Sequence, residues 1–287
     1  MSNAIKINVN GTWKDVASSV GTKGSLKLDG NSDYISSPDH SDWDITTGAY
    51  TISLFFRLTK IPDKMEGLGE SMTLMEQGQS SSKFWTIKLS SNVHTGYVSL
   101  SFLIGISIWH LAKDVPMVID TWYHLAFCKL YDEGLDKWVS SIYLDGTQLT
   151  YSGTEEDKHC PTNYNAPLQI GYGTYYGDYL HGYVDEVLTR RLNIFNAAPN
   201  VGLTNIIAVP VREFASFTDE GLLLHLNTNL DDSTGRHTWT AYGDAQIDHA
   251  IYKDLSGASS LKVNINGVWK TIAGMQININ GTWKTVF

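Results

Sequence analysis

The sequence is poor in everything that would tie it to an anionic polymer, a bilayer or a cross-linked scaffold. Its 287 residues include only two cysteines, Cys128 and Cys160. Two thiols in so long a chain do not make the disulfide framework that staples small secreted domains. Cys128 follows Leu125-Ala126-Phe127 and reads as a small buried hydrophobe, whereas Cys160 stands in a polar loop before Pro161. A bond between them stays open, and reduced thiols in a chain assembled inside a cell are the expectation. Positive charge is scarce: 21 Lys and Arg face 30 Asp and Glu, a net charge of −9. The longest basic run is Arg190-Arg191. Nucleic-acid backbones and anionic membranes are recognised by clustered Lys and Arg, so neither is an expected partner. No apolar run reaches the ~18 residues of a membrane helix. The alternating Ile5, Ile7 and Val9 lack the continuous apolar centre of a secretory signal.

Catalytic signatures are missing as well. There is no Gly-x-Ser-x-Gly elbow, and no His-x-x-x-His or Cys-x-x-Cys pair of the kind zinc sites use. Gly171-Tyr172-Gly173 lacks the third glycine and the following helix of a dinucleotide site, and reads as a turn. Retaining glycoside hydrolysis needs two carboxylates about 5–5.5 Å apart. The most acidic strand candidate, 182–189, carries Asp185 and Glu186 side by side, which period-two alternation sends to opposite faces. A non-enzymatic protein without a cofactor is therefore expected.

What the chain does contain is β-structure. At 42% hydrophobic and 18% charged residues it can bury a full core, and one large β domain often runs to ~200–250 residues. The central stretch is Tyr164 to Phe195. In it Pro167-Leu168-Gln169-Ile170-Gly171 and Leu180-His181-Gly182-Tyr183-Val184-Asp185-Glu186-Val187-Leu188 read as two strands joined by a Gly/Tyr/Asp loop. Alternation places Tyr183, Asp185 and Val187 on one face of the second strand, and Val184, Glu186 and Leu188 on the other. Upstream lie Ser25-Leu26-Lys27-Leu28-Asp29-Gly30, Thr51-Ile52-Ser53-Leu54-Phe55-Phe56, Thr121-Trp122-Tyr123-His124-Leu125 and Ser141-Ile142-Tyr143-Leu144-Asp145-Gly146. Further strands are expected around Phe84–Ser90 and Gly96–Gly105, the latter continuing through Trp109, with a turn over 132–138 and a polar loop over 150–166. Residues 60–79 read as a long loop, a short helix between Met65 and Met75 being the alternative. The connection 196–210 is expected to carry one helical turn.

In their order and spacing, these segments resemble the laminin-G-like, concanavalin-A-like jelly rolls. The resemblance implies an all-β, two-sheet sandwich over 21–250. The segment Gly221-Leu222-Leu223-Leu224-His225-Leu226 through Ile247 is similar to the opening strands of such domains but comes last here. Too few residues follow it for a second sandwich, so a circularly permuted order is expected, in which it closes the first. Many members of the family bind calcium through rim-loop acids. Asp39, Asp42 and Asp44, with Asp178, are the candidates, but a solvated acidic turn is the favoured account of the cluster, and no metal ligand is assigned.

The ends of the chain repeat. Ile5-Lys6-Ile7-Asn8-Val9-Asn10-Gly11-Thr12-Trp13-Lys14 recurs from Leu261 to Lys270 and again from Met275 to Lys284. Asn-Gly between alternating strands is the strongest short hairpin signal, because both residues tolerate positive φ. One hairpin is expected in 1–20 and two in 251–287. Isolated hairpins are marginal in water. Trp13, Trp269 and Trp283 either pack within the chain or dock on neighbouring subunits as an assembly surface. Such hairpins resemble elements at the ends of bacteriophage structural proteins. That resemblance implies a virion protein of capsid, head-fibre or tail, assembled in the host cytoplasm and bound to other virion proteins or to itself. The alternative is a carbohydrate-binding adhesin. Tyr172, Tyr175, Tyr176, Asp178, Tyr179 and His181 gather in one short loop and offer the aromatic faces and polar groups that surface glycans require. The same loop suits a protein contact or a sheet-edge cover.

Overall fold

The computed structural model describes residues 5–9, 12–16, 22–45, 48–62, 64–65, 68–92, 94–154, 164–255, 262–265, 268–271, 276–279 and 282–285. Contacts divide the chain into two units, one of Met1–Val209 with Phe214–Lys253 and the other of Pro210–Glu213 with Asp254–Phe287.

The first unit is a sandwich of two antiparallel sheets. One runs, from edge to edge, Ser107–Pro116, Tyr97–Ile104, Lys83–Ser91, Ser71–Ser80, Leu168–Ile170, Tyr34–Ser37 and Thr240–Tyr242. The other runs Thr147–Gln148, Lys137–Leu144, Trp122–Asp132, Tyr50–Leu58, His181–Arg190, Ser25–Asp29 and Gln246–Asp248. Ser152–Thr154 and Gly221–Leu224 pair onto this second sheet beside Lys137–Leu144 and His181–Arg190. Rings from the two sheets meet in the core: Phe102 stacks on Trp85 of its own sheet and at 4.6 Å on Phe127 of the other. The segment expected to close the sandwich contributes strands to both sheets, with Ala241 opposite Ile35 and Ile247 opposite Leu26.

The outer face of the second sheet is also covered. Ala126, Cys128 and Tyr143 point away from the inter-sheet core and pack with Ala197, Ile207 and Phe195 of the connection that follows His181–Arg190. Cys128 is a buried free thiol, and Cys160 lies outside the described residues. Near the chain ends, Ile5–Val9 pairs with Thr12–Val16, Lys262–Ile265 with Val268–Thr271, and Gln276–Ile279 with Thr282–Thr285. Each pair leaves two positions, Asn and Gly, to connect it, as the repeats predict.

Four local expectations are corrected. Ser71–Ser80 is a strand and not part of a loop or helix. A bulge between Thr73 and Met75 turns both Leu74 and Met75 into the core, which breaks the alternation that would have marked it. The strand from Tyr97 does not reach Trp109: it ends at Ile104 and reverses, with Gly105 at φ 57 donating its N–H to the Phe84 carbonyl at 2.7 Å. No helical turn occurs over 196–210. Among the described residues, the single helical element is the 3-10 turn Ser41–Trp43. Lastly, the faces assigned over 183–188 change. A register shift between Asp185 and Leu188, with Glu186 at φ 49, puts Val184 and Val187 together in the core. Asp185 and Glu186 therefore do not take opposite faces. Both bond to chain laid over the outer face, Asp185 Oδ2 to the Lys253 N–H at 2.9 Å and Glu186 Oε1 to the Phe214 N–H at 2.6 Å.

Candidate functional site

The loop between Leu168–Ile170 and His181–Arg190 folds back on itself, Tyr172 opposite Tyr179 and Gly173 opposite Asp178. The small hairpin lies against the outer face of the first sheet, where alternation directs Ser71, Thr73, Phe84, Thr86 and Lys88 outward beneath it while Trp85, Ile87 and Leu89 enter the core. Lys88 fastens it. This lysine is 7% exposed, and its Nζ lies 3.4 Å from the Tyr176 ring centre, 3.4 Å from Asp178 Oδ2 and 3.2 Å from Ser71 Oγ. Ser71 Oγ also donates to Asp178. Burial lowers the Lys88 pKa, and the Asp178 carboxylate opposes that shift.

Under the hairpin sits Glu76, fully buried. Its Oε1 accepts the Thr174 N–H at 2.6 Å. Burial pushes its carboxyl up to about 7 against the pull of the hydrogen bonds from Thr174 and Thr86. A side chain on Gly173 would collide with Thr73 Oγ1 at 2.4 Å, so this close approach requires glycine.

The six residues expected at the site fall on two neighbouring surfaces. Tyr175 and Tyr176 meet each other edge-on at 4.5 Å, lie over Phe84, and are each 42% exposed. Tyr172 and Tyr179 stack at 4.6 Å and continue a row through Tyr34, 4.9 Å from Tyr172, to Tyr242, which lies parallel to Tyr34 at 4.5 Å. Burial, then the neighbouring phenols, raises the Tyr34 and Tyr172 hydroxyls above their ordinary value, which keeps them as neutral donors. Asp178, Tyr179 and His181 line an open pocket of about 220 Å³ with Gly30, Lys60, Glu70, Ser71, Met72 and Gly177. His181 Nδ1 lies 2.6 Å from Thr59 Oγ1, and Lys60 pairs with Glu70 at 2.7 Å.

Sequence reasoning missed Lys88, Glu76, Tyr34, Tyr242 and the pocket wall of Lys60 and Glu70, which come from strands and loops remote in the chain. The only signal for Lys88 was a lysine inside an apolar strand, where charge is rarely buried without a partner. The acids weighed for calcium separate. Asp39 accepts from Gln77 Nε2 at 3.2 Å, and Asp44 lies 3.8 Å from Arg191. Asp42 is not a solvated turn residue but 1% exposed, with Arg236 paired to both of its oxygens. The side chains of Trp13, Trp269 and Trp283 lie outside the described residues.

The two antiparallel sheets form a β-sandwich, with the aromatic hairpin on the outer face of the first and the pocket at the rim, lined from strand ends of both. A family profile described as the concanavalin A-like lectin/glucanases superfamily matches residues 29–193, and the chain belongs to that family. A Bacteroides ovatus protein assigned to carbohydrate binding is 18% identical, with a TM-score of 0.49, over 83% of this chain and 66% of its own. Domains LG4-5 of the mouse laminin alpha1 chain are 14% identical, with a TM-score of 0.42, over 65% of this chain and 49% of theirs. The CBM40 of a Ruminococcus gnavus IT-sialidase, solved with α2,6-sialyllactose, is 8% identical, with a TM-score of 0.40, over 61% of this chain and 93% of its own. The chain thus spans less than two thirds of the first two. A search of curated proteins gives no match.

Proposed function

We propose that the protein is a non-enzymatic carbohydrate-binding protein and that its ligand sits on the 172–181 hairpin and the adjoining pocket. The observation that carries this reading is the pairing of half-exposed tyrosine faces, Tyr175 and Tyr176, with a pocket whose wall holds Asp178, Tyr179, His181, Lys60 and Glu70. A sugar ring presents an apolar face bordered by hydroxyls, and flat aromatics beside fixed donors and acceptors match both. The pocket is smaller than the ~300–1,000 Å³ of drug-sized sites, a volume suited to a single ring of a longer glycan. The acids of the His181–Arg190 strand do not compete as a catalytic pair, since both are sealed by covering chain. Glycan-array binding by the wild-type chain that disappears in Tyr175→Ala/Tyr176→Ala, with the variant still folded cooperatively, is the expected result; undiminished binding by that variant contradicts the placement.

A second role is compatible with the first. The three paired hairpins near the chain ends either pack within the chain or, in this second reading, carry Trp13, Trp269 and Trp283 as anchors onto virion proteins or further copies. In that reading the sandwich is displayed on a particle. Substituting all three tryptophans by alanine in the full chain should lower the mass measured by light scattering, and an unchanged mass contradicts the assembly role.

A further inference from the structure

We propose that His40, Asp42 and His237 form a binding site for a divalent metal of the zinc class, where the closing segment 221–248 meets the 3-10 turn Ser41–Trp43. The turn carries Asp42 inward, its preceding residue His40 caps it, and His237 approaches from the other side. His40 Nδ1 and His237 Nε2 are 3.4 Å apart. His40 Nδ1 is 3.3 Å from Asp42 Oδ1, and His237 Nε2 is 3.1 Å from Asp42 Oδ2. Ligands at the ~2.0–2.1 Å of zinc–nitrogen bonds in tetrahedral geometry stand about 3.3 Å from one another, so these separations need little adjustment.

The surrounding bonds orient His237 in the way metal sites require, while His40 and Asp42 are held by bonds that a metal would replace. His237 Nδ1 lies 2.7 Å from Asp232 Oδ2, and Asp232 is itself held by the N–H groups of Leu223, Thr234 and Arg236. A carboxylate on the far nitrogen keeps the proton there and turns the Nε2 lone pair towards a metal. His40 Nδ1 accepts the Asp42 N–H at 3.1 Å, a capping bond that a metal would have to displace to reach its lone pair. The side chains of Asp42 and His237 are 1% and 2% exposed, and that of His40 is 36% exposed, which leaves a path for the ion. Arg236 competes with the metal: its Nε and Nη2 reach Asp42 Oδ2 and Oδ1 at 2.7 and 2.9 Å. Its side chain is about one third exposed (32%), and it can swing out.

The test is titration of the full chain with Zn²⁺ by calorimetry and with Co²⁺ by visible absorption. One ion per chain is expected, with the intense visible bands of tetrahedral cobalt. His40→Ala, at the accessible ligand, should abolish that uptake, and Asp232→Asn should weaken it 10–100-fold. Arg236→Gln should tighten it several-fold, a gain that a merely structural network would not show. The proposal is overturned if neither the wild type nor Arg236→Gln takes up the ion, or if uptake persists unchanged in His40→Ala, which would place it on other surface histidines.

Discussion

Buried ionisable groups set how this sandwich responds to pH. Glu76 titrates near 4.5 when unfolded and is pushed up to about 7 in the fold by burial. The folded chain holds that proton more tightly, so the stability it contributes is complete below about pH 4.5 and is lost as pH rises through 7. The gap amounts to about 3 kcal/mol. His110 and His124 act in the opposite sense. Burial pushes each down to about 3, and the Lys253 charge adds to the shift at His124. Their contribution is present above 6.5 and is lost as pH falls toward 3. Urea unfolding from pH 4 to 9 should therefore show stability rising to about pH 6.5, with Glu76 opposing the two histidines from pH 4.5 upward, and little further change above pH 7. Glu76→Gln should steepen the rise between pH 4.5 and 6.5 by removing the opposing slope, and an unchanged slope there would remove Glu76 as a contributor. At this scale the sequence was least legible. Nothing in the neighbours of Glu76 or Lys88 shows that a tyrosine hairpin a hundred residues later will seal them.

Most of the strands could be read from alternation, and those that could not share one cause. Bulges at Thr73–Met75 and Asp185–Leu188 each shift the phase of a strand by one residue, so a pattern of period two fails where it is most used. Both bulges lie next to buried carboxylates, Glu76 and the pair Asp185 and Glu186. The first hid a whole strand and the second reversed a face. The tight approach of strands is legible only at glycine: a Cβ at Gly182 would stand 2.1 Å from the Arg57 carbonyl. Gly182→Ala should thus cost about 2 kcal/mol or more by forcing His181–Arg190 away from Tyr50–Leu58. Phe102→Ala should cost about 3–5 kcal/mol, because it empties the space between Trp85 and Phe127. Chemical denaturation of both variants checks these values, and a loss below 1 kcal/mol in either would show that the sheets can close the gap.

At the scale of the molecule, the family and the two-sheet architecture were legible because five segments in order constrain topology far more than any one of them. The candidate site was legible in part. Its tyrosines are contiguous in sequence, but the row from Tyr179 to Tyr242 and the pocket wall exist only once distant loops converge. The central claim is that this surface recognises sugar. The most direct measurement is calorimetric titration of the full chain and of Tyr175→Ala/Tyr176→Ala with the best glycan from an array. Saturable binding by the wild type and at least tenfold weaker binding by the variant, with both chains folded at the titration temperature, is the predicted result. Equal affinities for the two proteins, or no glycan bound by the wild type, would contradict it.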